Sequence, residues 1–476
     1  IPGSPIAYWV SDAFVSNFGK TRRIGETRKG MVTADNPRFI RTWYEINGKK
    51  IGLNIKTREQ AKASHRKWFP YVKGGEFRKW YGNHDWVVNW ENDGFELLNM
   101  KKEGYKVGST NQNLSFIFRG AVCWTKISSS FSARLVPEGF LMDDASPFMA
   151  PFVKESYYFC LGLYNSVVCQ EYLNIMNPTM NFSPGTVSNI PYVDCGTFSE
   201  IISQKVGECV SLSERDWDSF ETSWDFTVHP LVKKHLNTIN EAYSLWKNEC
   251  NNRFHKLKAN EEELNKIFIN IYGLQNELTF GVEDKDVTVH FVSDTKEDIP
   301  ESMKGSNYIR TKQDEIKSFI SYAVGCMFGR YSLDKDGLVF AGGNFDETYW
   351  KYKGEAPLNL DGSLPSGDAY AGVSLAKLHY AAIRDNDDYN NATKLKYEPD
   401  IDDIIPVCDE EYFEDDIVSR FVEFVKCAYG EETLEENLKF IANALGGRGV
   451  SREVLRNYFL NDFFKDHCNT YQVTGS

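Results

Sequence analysis

No two of the ten cysteines form a Cys-x-x-Cys pair, and none of the eight histidines forms a His-x-x-x-His or mixed Cys/His ligand pair. Zinc ribbons and fingers, which need such close pairs, are excluded. No run of about 18 apolar residues occurs, so no membrane span is expected. The start lacks the basic, then apolar, then small-residue order of a signal peptide. Together these absences point to reduced, mostly buried thiols in a cytoplasmic protein. The chain opens Ile1-Pro2-Gly3 rather than with Met, which reads as a fragment or processed product.

Catalytic signatures are missing too. An amino-methyltransferase needs a Gly-rich loop after a strand and an Asn/Asp-Pro-Pro-aromatic motif to hold the amino group of a flipped base. Asn36-Pro37-Arg38-Phe39 lacks the second proline and reads as a turn, and Ala341-Gly342-Gly343-Asn344 is an isolated glycine pair. Glu315-Ile316-Lys317 has the Glu-x-Lys spacing of metal-dependent nucleases, but no Pro-Asp precedes it. The acidic tract from Glu398 through Asp402-Asp403, Asp409-Glu410-Glu411 and Glu414-Asp415-Asp416 has neither the alternation nor the glycine of a calcium loop. It reads as a solvated lead-in to a helix. No metal site and no cofactor site within the chain is expected.

What is present is charge of one sign at one end. Residues 1–135 hold 23 Lys and Arg against 11 Asp and Glu, a net of +12, so the remainder carries -25 of the total -13. A basic end on an acidic protein points to a polyanionic partner that meets one face.

The pattern divides the chain into three. Residues 1–205 are aromatic-rich, with short apolar runs such as Trp86-Val87-Val88-Asn89-Trp90, Leu114-Ser115-Phe116-Ile117-Phe118 and Ala121-Val122-Cys123-Trp124, which read as strands. Tyr157 to Met176 reads as helix and Pro184-Gly185 as a turn. Residues 206–285 form a spacer. Leu236, Ile239, Tyr243, Trp246, Cys250, Phe254 and Leu257 make one apolar stripe, and Leu264, Ile267, Ile271, Leu274 and Leu278 another. Asn260 followed by Glu263 looks like a capping start, so the expectation is a hairpin of two helices. Residues 286–476 are acidic and mainly helical, with Gly-rich loops at 359–372, a stop at Gly446-Gly447 and Ser451 capping the last helix. The expected fold is mixed α/β: an irregular-sheet domain, a long amphipathic helical spacer, then a mostly α-helical C-terminal domain.

The richest site is Arg66-Lys67-Trp68-Phe69-Pro70-Tyr71-Val72-Lys73-Gly74-Gly75-Glu76-Phe77-Arg78-Lys79-Trp80-Tyr81-Gly82-Asn83. Cations alternate with aromatics, and the two glycines would let backbone N–H groups approach a phosphate. Arg, Lys and Asn can read base edges, while Trp and Tyr can stack on unpaired bases. The contacts expected here are Lys67, Lys73, Gly74, Gly75, Arg78, Lys79, Trp80, Tyr81 and Asn83. Arg22, Lys29, Arg38 and Arg41 would extend the surface, as would Lys126 and Arg134, which flank the Ser128-Ser129-Ser130 turn. The expected partner is double-stranded DNA.

Several segments resemble the C-terminal half of the adenine-N6 DNA methyltransferases of BREX phage-defence systems, the PglX type. They are Ile1-Pro2-Gly3-Ser4-Pro5-Ile6-Ala7-Tyr8-Trp9-Val10-Ser11, Gly30-Met31-Val32-Thr33, Phe39-Ile40-Arg41-Thr42-Trp43-Tyr44-Glu45 and the Lys67 to Asn83 block. Also alike are Val88-Asn89-Trp90-Glu91-Asn92-Asp93-Gly94, Ala323 to Ser332, Glu411 to Asp416 and Ser451 to Leu460. A looser likeness links Leu161-Gly162-Leu163-Tyr164-Asn165-Ser166, Gly185 and Asn189-Ile190-Pro191 to the target-recognition domains of type I restriction specificity subunits. The resemblance implies methylation of adenine in one asymmetric DNA sequence with S-adenosylmethionine, and partnership with other BREX proteins. The donor-binding and catalytic motifs would then lie upstream of Ile1, and this chain alone is expected not to methylate. Two alternatives stand: a module that docks other defence proteins, and a nuclease fragment built on Glu315 and Lys317.

Overall fold

The computed structural model describes residues 10–100, 113–154, 156–177, 179–233, 236–339, 395–400 and 404–472, with Ser109 and Asn111. The opening segment 1–9, the glycine pair at 342–343, the Gly-rich stretch at 359–372 and Asp402-Asp403 lie outside the described residues. The protein is mixed α/β with several small sheets.

The basic end is built on two four-stranded sheets. In the first, strands β1 (Gly25–Arg28), β8 (Phe148–Pro151), β5 (Ala121–Trp124) and β6 (Ala133–Val136) lie side by side in that order, all antiparallel. In the second the order is β2 (Ile40–Thr42), β4 (Trp86–Asn89), β3 (Trp68–Val72) and β7 (Leu141–Met142), with only the last pair parallel. Every residue of β3 and β5 is buried, which is why these strands read as continuous apolar runs without alternation. Leu114–Phe116, expected as a strand, is a turn of 3-10 helix. Tyr157 to Met176 is two helices, Ser156–Tyr164 and Val167–Met176, because the Ser166 side chain caps the second by accepting from the Cys169 N–H.

The expected helical hairpin within 236–278 is one helix of 34 residues, Ile239–Tyr272, about 50 Å long. No glycine or proline interrupts it. Asn260 caps nothing: it is buried, and its amide donates to Glu208 at 3.0 Å on the helix Ser199–Trp217. That earlier helix runs through the expected boundary at 205 and is the true partner. Lys205 pairs with Glu263, Glu208 with Lys256 and Asp216 with Arg253, so the two helices lie antiparallel. Gly273, in the left-handed conformation at φ 67°, ends the long helix where an L side chain would be strained.

Two hydrophobic cores share this helix. Its second half, from Phe254 to Tyr272, packs with Trp80, Trp124, Leu161, Tyr172 and Val206 in the core of the basic end. Its first half, from Ile239 to Cys250, packs with Phe319, Tyr322, Phe421, Phe424 and Phe459 in the core of the acidic end. The acidic end contributes the helices Lys312–Met327, Ile417–Tyr429, Leu434–Ala444, Ser451–Asn461 and Phe463–Thr470, and a parallel strand pair, β9 (Phe291–Ser293) with β10 (Ile309–Thr311). Ser451 opens its helix without capping it, and a further helix follows. Among the described residues no helix is long and apolar enough to cross a membrane. All ten cysteines are free thiols, six of them buried.

Candidate nucleic-acid interface

Arg38, Lys73, Gly74, Gly75 and Lys126 come from three separate loops, yet all line one cavity of about 870 Å³. Each loop has a local cause. Asp35 caps the single helical turn Asn36–Phe39 that carries Arg38. Lys73 follows β3 directly and lies 4.6 Å from the centre of the Trp86 ring, a cation–π contact. Gly74 and Gly75 take φ of 69° and 112°, backbone that glycine adopts freely. Lys126 follows β5 and is paired with Asp144 at 2.6 Å.

A second cavity, of about 830 Å³, shares Asn36, Pro37, Lys73 and Gly75 with the first and adds Arg78, Asn83, Asp85, Trp217 and Tyr308. A third, of about 390 Å³, continues from Arg78 and Trp217 to Lys317 and the C-terminal helices. The first lies wholly within the basic end; the second and third share Arg78, Trp217, Thr222 and His290 and run on towards the C-terminal helices, so that the three form one continuous groove side by side. The far wall is tied down where the Tyr44 hydroxyl donates to the Gln472 carbonyl at 2.7 Å and Tyr471 to Glu221 at 2.9 Å. The groove is not a bare basic trough. In the first cavity Arg38, Lys73 and Lys126 face Asp35, Asp143 and Asp144. Burial raises the Asp143 carboxyl above its usual range, against the Tyr71 hydrogen bond.

The rest of the basic-aromatic block turns inward, which narrows the expected surface. Lys79 is buried and pairs with Glu261 of the long helix at 2.5 Å, and the Trp80 indole donates to the same carboxylate at 2.6 Å. Tyr81 is buried in the core of the basic end. Asn83 donates to the carbonyls of Gly74 and Glu76, and Arg134, fully buried, to those of Gly74 and Arg78. Asn83 and Arg134 therefore shape the 74–83 loop from behind. Arg78 is buried but borders the groove, its guanidinium 4.9 Å from both the Trp217 and Tyr308 rings. Behind it lies Asp216, where burial would raise the pKa. The charge and hydrogen bond of His290, with Arg253 and Arg78, overcome that and hold the carboxyl well below its usual range.

The remaining candidates stay outside the groove. Arg22 pairs with Asp194 at 2.8 Å and Lys67 with Glu91 at 3.9 Å. Arg41 donates to the Pro37 and Ile40 carbonyls, and the Lys29 side chain has no ion-pair partner among the described residues. Glu315 is buried, bound to Arg310 at 2.5 Å and the Trp246 indole at 2.9 Å, while Lys317 pairs with Asp466. The Glu-x-Lys triplet is thus engaged within the fold. No cluster of His, Cys, Asp and Glu that could hold a metal occurs among the described residues. Sequence patterns missed Asp85, Trp217 and Tyr308, because only the fold brings them beside Lys73 and Arg78.

A mixed α/β protein with a polar, aromatic-walled groove between two cores is the class the fold and site define. No protein-family model matches the chain. It is 39% identical over 489 residues to the adenine-specific methyltransferase PglX of Lacticaseibacillus casei (strain Zhang), covering 99% of this chain and 35% of that protein. It is 32% identical over 495 residues to the adenine-specific methyltransferase BrxX of Escherichia coli O9:H4 (strain HS), with the same coverage. The chain thus spans about a third of the length of the curated relatives it matches. A relationship to PglX-type methyltransferases, read above from separate segments, holds over nearly the whole chain.

Proposed function

We propose that this chain is the DNA target-recognition region of an adenine-N6 DNA methyltransferase of BREX-type phage defence, the catalytic domain lying elsewhere in a longer protein. One observation carries it: Arg38, Lys73, Gly74, Gly75 and Lys126, chosen from sequence as phosphate or base contacts, line a single groove. The names of the relatives supply the methyltransferase class. The partial match to an amino-methyltransferase motif, Asn36-Pro37-Arg38-Phe39, is a single helical turn. The Asn36 carboxamide accepts the Thr33 hydroxyl at 2.5 Å within a one-turn helix, and no glycine marks the β10-to-helix junction at Thr311-Lys312. In this proposal the donor is assigned to the parent enzyme, and this chain to recognition.

In this account the basic end meets the duplex, with phosphate contacts setting register and a few base contacts selecting the target. The long helix fixes that domain against the acidic end, which is left for protein partners of the defence system. Arg38–Glu96 and Lys126–Asp144 are at least a quarter exposed, so exchanging their carboxylates for phosphates costs little. Fluorescence anisotropy with labelled duplex over a salt series tests the proposal. Arg38→Ala, Lys73→Ala and Lys126→Ala together should weaken binding at least tenfold and lower the salt slope by roughly two to three. Equal affinity and slope in the triple variant would remove the groove from the interface, and a parent chain that binds no duplex at any salt would favour a docking module.

A further inference from the structure

The inner end of the groove has a different character from its mouth. Arg78 is only 6% exposed, and its guanidinium is held between Trp217 and Tyr308 by ring faces. Its Nη1 has no hydrogen-bond partner and stands 3.8 Å from Asp216. That carboxylate is already taken by the His290 N–H at 2.9 Å, the His290 ring at 2.8 Å and Arg253 at 3.1 Å. No side-chain hydrogen bond from Arg78 is formed among the described residues; beyond the long ion pair of its buried Nη1 with Asp216, the guanidinium lines a cavity of about 830 Å³ with donors to spare. Asp85 lines the same cavity and accepts no side-chain hydrogen bond among the described residues.

We propose that Arg78 and Asp85, with the aromatic walls beside them, form a binding site for an unpaired guanine base. The inference deepens the DNA-recognition reading and rests on it for the source of the base. Three considerations select the ligand. In the cavity Lys73 and Arg78 face Glu76 and Asp85, and the His290 ring is taken up by Asp216 behind it, so an acceptor-only phosphate meets repulsion as well as attraction. A nucleobase edge offers both donors and acceptors. Guanine offers O6 and N7 to a guanidinium and the adjacent N1–H and N2–H to the two oxygens of one carboxylate. Adenine and cytosine have no such pair of neighbouring donors. Finally, Arg78 is too deep to reach a paired base edge, so the base must leave the stack to enter. Burial pushes the Asp85 carboxyl up to about 6, with Arg78 and Arg134 restraining it, so it is ionised and accepting at neutral pH.

The site is tested on the whole chain by tryptophan fluorescence, titrating guanosine, inosine and adenosine 5′-monophosphates and inorganic phosphate. Saturable quenching by the guanosine nucleotide at least tenfold tighter than by adenosine is expected, with inosine, which lacks the 2-amino group, between them. Asp85→Asn should erase the preference with an unchanged melting curve. Should that variant fail to fold, Asp85→Glu, which keeps the charge but moves it by one carbon, should weaken guanosine selectively. Equal response to all nucleotides and to phosphate, or no saturation, overturns the proposal. Duplexes carrying one bulged guanine or one bulged adenine separate the DNA source from the free nucleotide. Loss of guanine preference with salt-dependent duplex binding intact would sink this site alone. Guanosine selectivity in a chain that binds no duplex would sink the DNA reading alone.

Discussion

His84 is 2% exposed, and its ring lies 4.8 Å from Tyr81, 4.8 Å from Phe140 and parallel to Trp224 at 6.5 Å. Its Nε2 has no hydrogen-bond partner. Burial, with the charges of Arg134 and Arg78, pushes the imidazole down to about 3. The unfolded chain takes up a proton near pH 6.5 that the folded one refuses, so this residue's contribution is complete above about 6.5. It falls as pH drops toward about 3. His84→Phe removes both the orphaned nitrogen and that proton. Urea denaturation should find the variant close to the parent, or more stable, at pH 7. The stability gap should widen in its favour by about 2 kcal/mol at pH 5. A gap that does not change between the two pH values would show a hydrated, ordinary histidine. Nothing in the order Gly82-Asn83-His84-Asp85 announces this burial, because the rings that enclose the imidazole come from three separate parts of the chain.

At the scale of elements, the loop between β3 and β4 is where sequence and structure part most. Arg78, Lys79 and Trp80 look like an exposed basic-aromatic patch when read locally. Their partners are remote: Glu261 lies 182 residues beyond Lys79. A buried pair of this kind loses roughly 3–5 kcal/mol when one member is removed, since the other charge stays behind. Lys79→Met should therefore lower stability in urea by about 3 kcal/mol, and adding Glu261→Gln should recover part of it. The salt slope of duplex binding should not move in Lys79→Met. A change in slope without a change in stability would return Lys79 to the interface. The strands β4 and β5 and the C-terminal helices were legible because each buries a simple periodic or continuous apolar pattern. The long helix was half legible. Its stripe was visible, but Asn260 followed by Glu263 read as the capping start of a second helix, whereas Asn260 is buried and binds the neighbouring helix.

Across the whole molecule, charge asymmetry marks a basic end but does not say how its charge is used. Arg22, Arg38, Arg58, Lys67, Lys79 and Lys126 all hold acidic partners, so a count of +12 overstates the free positive surface. Lys73 and Arg78 line the cavities together with the already paired Arg38 and Lys126, while Lys29 and Arg41 lie elsewhere on the basic end. One helix contributes residues to both cores. If recognition resides here, target choice should travel with this chain. The direct measurement is to exchange it for the matched stretch of the Lacticaseibacillus casei PglX and map methylated adenines genome-wide by long-read sequencing. The account predicts an active chimera whose methylated sequence differs from that of the unaltered PglX and changes again with substitutions at Arg38, Lys73 and Lys126. An active chimera that still methylates the PglX sequence would contradict it.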